Sequence, residues 1–86
     1  MIEKQVTIIN ESGLHAKPAS QVVSFVRNYK GSVLVSHEGK RGNLKSIISI
    51  LSLGLRKGGT ITLQIEGDGE ETFAGELVEF IENLEG

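Results

Sequence analysis

His15, one of the two histidines of the chain, lies in the segment ESGLHAKPAS, between a glycine turn and a helix-like pattern. The only proline, Pro18, follows it closely and fits the first turn of a helix, where a missing amide hydrogen costs nothing. The segment therefore predicts that His15 precedes a helix whose free amides, those of Ala16 and Lys17, bind an anion. Gly13 is expected to let this loop approach another protein closely.

The chemistry that these residue types favour is transfer of a phosphoryl group. The positive end of a helix disfavours a protonated imidazole, and a neutral ring nitrogen is a nucleophile. A phosphoryl group on His15 would place its negative charge beside the helix amides and Lys17. An ordinary exposed loop histidine satisfies the same pattern, however, and is the simpler interpretation of the residues alone.

Other chemistry at this histidine lacks support in the sequence. A metal site is not indicated, because His15 and His37 share no ligand spacing with carboxylates. A serine–histidine–acid triad is not indicated either, because Ser12 does not lie in a glycine-flanked nucleophile turn.

The length, the net charge and the composition of the sequence limit the class of protein. A length of 86 residues predicts one domain over 1–86, and the formal net charge of −2 argues against nucleic acid as the main partner. The absence of cysteine excludes disulfide and thiolate chemistry. No apolar run approaches the roughly 20 residues that cross a membrane, and no signal pattern starts the chain. We therefore expect a cytoplasmic protein without membrane insertion.

Hydrophobic periodicity predicts the elements that position His15. Strands are expected over residues 2–9, 32–37, 40–43 and 60–66. The first helix is expected to begin at Ala16 and to end with a basic last turn before Gly31. A second, short helix is expected after Ser46, and a third after a capping box formed by Asp68 and Glu71. The order β-α-β-β-α-β-α indicates an α+β fold, in which one antiparallel sheet is covered by helices on one face.

The short helix after Ser46 has an apolar pattern of its own. Ile47, Ile50 and Leu51 are expected to pack inward, whereas Ile48 is expected to be exposed. Gly42, in the strand before this helix, is expected to mark a β-bulge.

The segments SGLHAKPAS and GKRGNLKSIISILSLGLRKGGTITL resemble the HPr family, the histidine-containing phosphocarriers of the bacterial sugar phosphotransferase system. The resemblance covers nearly the whole chain and implies an open-faced β-sandwich, a four-stranded antiparallel sheet with three helices on one side. It also implies that His15 accepts a phosphoryl group from Enzyme I and donates it to enzyme IIA domains. Ser12, Ala16 and Lys17 would bind that group. A monomer that is not an enzyme and needs no cofactor is expected.

The resemblance also implies regulation and a docking surface. Ser46 is a natural helix N-cap, and its counterpart in Gram-positive-type members is phosphorylated by HPr kinase/phosphorylase. A phosphoserine there would gain from the helix dipole and from Lys45, although a plain capping serine explains the residue equally. The implied partners, Enzyme I, enzyme IIA domains, the kinase and a catabolite control repressor, would dock on an apolar patch formed by Leu14, Ile47, Ile48 and Leu51.

Three positions depart from the family pattern. Lys17 stands where arginine is usual, and a lysine orients a phosphate less well, so transfer should be slower or less selective. Ile48 and Ser49 stand where Gram-positive members often have methionine and glycine. These changes leave open a regulatory paralogue, for catabolite repression or a secondary phosphotransferase system, that acts mainly by protein binding. Such paralogues can replace the histidine, which is retained here. A general α+β module that binds RNA is disfavoured by the acidic net charge.

Overall fold

A computed structural model describes residues 1–84 as one sheet and three helices, in the predicted order. The elements are β1 (Ile2–Thr7), α1 (Ala16–Val26), β2 (Gly31–His37), β3 (Lys40–Asn43), α2 (Ile47–Ser52), β4 (Thr60–Gly67) and α3 (Glu70–Glu82). The four strands form an antiparallel sheet in the order β1-β4-β2-β3. The predicted α+β open-faced sandwich is therefore confirmed.

The buried face of the sheet follows from the two-residue period of its strands. Successive side chains of a strand point to opposite faces, so a strand with one buried face alternates apolar and polar residues. In β4, Ile61, Leu63 and Ile65 are fully buried, and Val33 and Val35 of the adjacent β2 join them. All three helices lie over this apolar face.

The first and last helices contribute apolar stripes to the same core. In α1 the buried side chains recur at i, i+3, i+4 and i+7 from Ala19, the spacing that places them on one helix face. In α3, Ala74, Leu77 and Ile81 are buried in the same way.

Four aromatic rings stack between α1 and α3. Tyr29 and Phe73 lie 4.1 Å apart between ring centroids, Phe25 and Phe73 lie 5.8 Å apart, and Phe25 and Phe80 lie 4.4 Å apart. Each stacked pair adds roughly 0.5–1.5 kcal/mol beyond the area it buries. The rings are only half-buried, so they join the two helices and still leave apolar edges in contact with solvent.

Two element boundaries differ from the prediction. Helix α1 ends at Val26 without a basic residue in its last turn, and Gly31 begins β2 instead of stopping the helix. The first strand ends at Thr7, because the amide of Ile8 leaves the sheet ladder and donates to the carbonyl of Gly59 at 2.8 Å.

The start of α3 is not the predicted capping box of Asp68 and Glu71. The N-cap is Gly69, in the left-handed region with φ +65°, and it makes no side-chain cap. The carboxylate of Glu70 instead turns back and accepts from the amide of Gly67 at 3.2 Å. The left-handed turn places the acidic side chain of the first helical residue next to that amide.

Gly42 does not mark a bulge, because it pairs in regular register with Val35. A β-carbon on Gly42 would instead lie 3.3 Å from Cδ1 of Leu53 and 3.4 Å from Cβ of Ser49. The missing side chain therefore lets α2 and the residue after it pack closely on β3.

Candidate functional site

His15 is the N-cap residue of α1, as predicted. Its backbone is extended, with φ −90° and ψ −165°, and its carbonyl accepts the first hydrogen bond of the helix from the amide of Ala19 at 2.9 Å. The imidazole makes no capping hydrogen bond and is exposed to solvent. The ring is therefore accessible to a reacting group carried by another protein.

The residues that follow His15 provide positive potential. The first amides of a helix have no acceptor within it, and Ala16 and Lys17 are both exposed. Pro18, which has no amide hydrogen, is buried and fixes the first turn. Within residues 1–84, no ion pair involves His15 or Lys17. Ser12 is exposed in the turn before the ring.

A network of backbone hydrogen bonds fixes the loop that leads into His15. The amide of Gly13 donates to the carbonyl of Asn10 at 3.0 Å, and the side-chain amide of Asn10 donates back to the carbonyl of Gly13. The amide of Leu14 donates to the carbonyl of Leu55 at 3.1 Å. The turn from Asn10 to Gly13 was expected from the sequence. The contacts of Asn10 and Leu55 that fix it were not.

Gly13 faces the chain itself instead of a partner protein, so the expected role in approach to another protein is wrong. Its φ of +66° is in the region that favours glycine, and a β-carbon there would lie 2.3 Å from the carbonyl oxygen of Leu55. The same β-carbon would lie 2.8 Å from Cα of Arg56. The loop before His15 can therefore lie against the loop after α2 only with glycine at this position.

The second histidine has a structural contact that His15 lacks. Nδ1 of His37 lies 3.1 Å from the carbonyl oxygen of Thr60, and since a carbonyl only accepts, Nδ1 carries the hydrogen. The side chain of His37 is only 12% exposed, and its Nε2 lies 3.8 Å from a carboxylate oxygen of Glu38. His37 joins the end of β2 to the start of β4, which leaves His15 as the accessible imidazole.

Ser46 is the N-cap of α2, as predicted, and its hydroxyl oxygen accepts from the amide of Ser49 at 3.3 Å. The expected help from Lys45 to a phosphate on Ser46 stays a prediction, and in the unphosphorylated protein this side chain has other partners. The Lys45 ammonium donates to the carbonyls of Tyr29 at 2.6 Å and Gly31 at 2.8 Å. These bonds hold the ammonium against the segment that joins α1 to β2.

The apolar residues of α2 face solvent more than predicted. Ile50 is fully buried, whereas Ile47, Ile48 and Leu51 are 38%, 80% and 42% exposed. The expected core positions of Ile47 and Leu51 are therefore wrong, and these two side chains form with Ile48 an exposed surface that we call the α2 patch. Leu14 is only 2% exposed, so its predicted place in such a surface is also wrong. Helix α2 packs against α1, which brings the α2 patch to the helix that begins beside His15.

The described part of the chain contains neither a metal-binding cluster nor a membrane-spanning helix. Residues 1–84 contain no group of three or more His, Cys, Asp or Glu side chains that is placed to hold a metal ion. No helix within that range is both long and apolar enough to span a bilayer.

Comparison with known proteins identifies the family. Residues 2–83 match the family described as "PTS HPr component phosphorylation site". The chain belongs to the HPr family. The HPr-like protein Crh of Halalkalibacterium halodurans is 38% identical over 82 residues, which cover 95% of this chain and 98% of that protein. The phosphocarrier protein HPr of Lysinibacillus sphaericus is 39% identical over 71 residues, which cover 83% of this chain and 81% of that protein.

The HPr fold is also shown by a solved structure. The crystal structure of HPr from Thermoanaerobacter tengcongensis has a TM-score of 0.90 and 39% identity, and the match covers 95% of this chain and 92% of that one. A second structure of that protein, a dimer, has a TM-score of 0.73. The family is that of the HPr phosphocarriers of the phosphotransferase system, and the relatives of this chain include both HPr and Crh.

Proposed function

We propose that this chain accepts a phosphoryl group on His15 from phospho-Enzyme I and donates it to enzyme IIA components of sugar permeases. The observation that supports the proposal best is the exposed imidazole of His15 at the N-cap of α1, without a capping hydrogen bond. A carrier needs such a ring, because two different proteins must reach the same nitrogen in turn.

In the forward step, a ring nitrogen of His15 attacks the phosphorus of phospho-Enzyme I. The new nitrogen–phosphorus bond forms as the bond to the donor breaks, and the electron pair of that bond returns to Enzyme I. The reverse exchange with an enzyme IIA domain restores the imidazole. The attacking nitrogen must hold a free electron pair, and the exposed ring at the N-cap of α1 leaves that nitrogen accessible to the donor.

The phosphorylated form is stabilised by the start of α1. The amides of Ala16 and Lys17 have no acceptors within the helix, and the phosphoryl oxygens supply acceptors. The exposed Lys17 ammonium adds a mobile positive charge. Because these groups interact with charge that is present only after transfer, they favour the phosphohistidine over the free ring. Ser12, in the preceding turn, provides a further donor.

Ser46 is proposed as a site of regulatory phosphorylation by an HPr kinase/phosphorylase. A phosphate on its hydroxyl oxygen would lie beside the α2 patch, to which Enzyme I, enzyme IIA domains and a catabolite control repressor are proposed to dock. The Lys45 ammonium donates to the carbonyls of Tyr29 and Gly31, so a direct ion pair with a phosphate on Ser46 would require these bonds to break. Phosphorylation would therefore change the affinity for docking partners and leave the fold unchanged.

A regulatory paralogue that acts by protein binding is the second candidate. The relation to the HPr-like protein Crh over nearly the full length supports it. The two candidates differ in one property, since only a carrier must take up phosphate on His15 from phospho-Enzyme I. The chain is proposed to act as a monomer, which sedimentation at micromolar concentration would test.

The test is to incubate the protein with Enzyme I and labelled phosphoenolpyruvate and to measure an acid-labile protein adduct. We expect His15→Ala to lose the label and His37→Ala, the matched histidine control, to keep it. Absence of label in the unmodified protein would favour the regulatory candidate, and label that survives in His15→Ala would exclude His15 as the carrier. A parallel incubation with ATP and the kinase tests Ser46, with Ser46→Ala as its control.

A further inference from the structure

An open groove of about 970 Å³ lies between α1 and α3, apart from the α2 patch. Lys17 and Phe25 line it from α1, and Glu76, Glu79 and Phe80 line it from α3. We call it the α1–α3 groove. Of these side chains, only Lys17 has a part in the proposed phosphoryl transfer.

The floor of the α1–α3 groove is apolar. The rings of Phe25 and Phe80 stack at 4.4 Å between centroids with an interplanar angle of 20°, and both are half-buried. Their uncovered edges belong to the aromatic stack that joins the two helices. An apolar partner side chain laid on these edges would remove the remaining aromatic surface from water, which favours association.

The rim of the groove on α3 is acidic, and the fold does not use this charge. Glu76 and Glu79 are exposed, and neither takes part in an ion pair within residues 1–84. They lie three residues apart on α3, so their carboxylates repel each other, and the helix dipole further disfavours Glu79 in the last turn. These side chains therefore cost the helix stability and remain available to a cation from outside.

The residues around α3 are also predominantly acidic. No lysine or arginine follows Lys57, whereas residues 66–82 contain seven of the eleven acidic side chains. The acidic surface around α3 thus attracts positive charge. The start of α1, at the other side of the groove, carries the positive charge of Lys17.

We propose that the α1–α3 groove is a docking site for an amphipathic segment of a partner protein, with an apolar face flanked by lysine or arginine. Apolar side chains of the segment would cover Phe25 and Phe80, and its basic side chains would pair with Glu76 and Glu79. Lys17 would repel a basic side chain at its end of the groove, so it sets the direction in which the segment lies.

A second copy of this chain fits the groove poorly. Among the described helices, α2 contains no basic residue and α1 contains only Lys17. The basic pair Arg56 and Lys57 adjoins Leu55, which is buried, so that loop offers no exposed apolar face beside its charges. No described helix of the chain thus combines an apolar face with flanking positive charge, and we assign the groove to a different protein.

The test uses the unphosphorylated protein, so its result does not depend on phosphoryl transfer. The probe is a synthetic helical peptide of about 14 residues, roughly four turns, with a leucine stripe flanked by lysines. We expect amide NMR shifts confined to the residues that line the groove, and binding that weakens with salt. The double variant Glu76→Gln/Glu79→Gln should raise the dissociation constant about three- to tenfold. Glu66→Gln/Glu71→Gln, which loses the same charge outside the groove, should leave it within about twofold.

Several results would overturn the proposal. These are no binding, shifts centred on the α2 patch, equal weakening in the two double variants, or equal binding of a peptide with glutamate in place of lysine. Groove shifts that depend on the concentration of the protein alone would assign the groove to a second copy instead. All four substitutions are at surface glutamates, and an unchanged amide spectrum without peptide would show that the fold is intact.

Discussion

The carbonyl oxygen of Leu55 lies where a β-carbon on Gly13 would project, only 2.3 Å from that position. The loop before His15 and the loop after α2 are thereby in direct backbone contact, and the amide of Leu14 bonds to the same carbonyl. The placement of the imidazole thus depends on a segment that follows it by some forty residues in the sequence.

Replacement of Gly13 by alanine should therefore lower the free energy of unfolding by more than the strain of its backbone angle alone. Gly54 has nearly the same φ, +63° against +66°, but a β-carbon there would meet no atom within 4 Å. We expect Gly54→Ala to lower the free energy of unfolding by about 1 kcal/mol, and Gly13→Ala to lower it by roughly 2 kcal/mol more. Urea denaturation of both variants measures the difference. Equal losses would show that the contact with Leu55 relaxes without cost.

The Lys45 ammonium should contribute to stability through its two carbonyl partners. Lys45→Met removes bonds of 2.6 Å to Tyr29 and 2.8 Å to Gly31, and it should lower the free energy of unfolding by about 2 kcal/mol. Lys40→Met, at an exposed position of β3, is the control and should change it by less than about 0.5 kcal/mol. The same denaturation experiment applies, and two equally small changes would contradict a structural role for Lys45.

The elements and the position of His15 could be predicted from the sequence, because local signals determine them. Alternation in β4 and the periodic apolar stripe of α1 depend only on the geometry of a strand and a helix. Pro18 marks the first turn of α1, which places His15 immediately before it.

The orientation of α2 and the contacts of the loop could not be predicted in the same way. A helix of six residues spans less than two turns, so periodicity does not distinguish Ile50, which is buried, from Ile47 and Leu51, which are partly exposed. The contact of Gly13 with Leu55 and the bonds of the Lys45 side chain join segments distant in the sequence, and a local pattern contains no signal for them.

The capping role of Ser46 predicts an order of stability for its variants. Its hydroxyl accepts from the amide of Ser49, so Ser46→Ala should lower the free energy of unfolding by about 1 kcal/mol. Ser46→Asp keeps an acceptor at the N-cap and should remain close to the unmodified protein. Ser52→Ala, which removes an exposed hydroxyl at the end of α2, is the control and should change stability little. Equal destabilisation by alanine and aspartate at position 46 would contradict the capping role.

The ion pair between Glu11 and Lys57 predicts a pH dependence in the loop before His15. The Lys57 ammonium, 2.8 Å from a carboxylate oxygen of Glu11, lowers the pKa of Glu11 from its usual 4.5 by a hydrogen bond and by its charge. Because the pKa of Glu11 is lower in the folded protein, the pair stabilises the fold above pH 4.5. This stabilisation is lost as the pH falls through the pKa of the folded state. Lys57→Met should return the pKa of Glu11 towards 4.5, as measured by NMR titration of the carboxyl carbon. Lys40→Met should not move it, and an unchanged pKa in Lys57→Met would exclude the pair in solution.

The type of cationic side chain at position 17 should affect the rate of the proposed phosphoryl transfer. A lysine ammonium is a mobile point charge, whereas an arginine guanidinium offers two aligned donors to a phosphate. Lys17→Arg should therefore speed phosphoryl transfer from phospho-Enzyme I by about two- to tenfold, and Lys17→Met should slow it by a similar factor. Both variants should keep the stability of the parent, because Lys17 is exposed and forms no ion pair within residues 1–84. Rapid-quench measurement of label transfer is the assay, with Lys40→Arg as the charge-matched control. If Lys17→Arg transfers no faster than the parent, the orientation of the phosphoryl group does not limit the rate, and Lys17 acts through its charge alone.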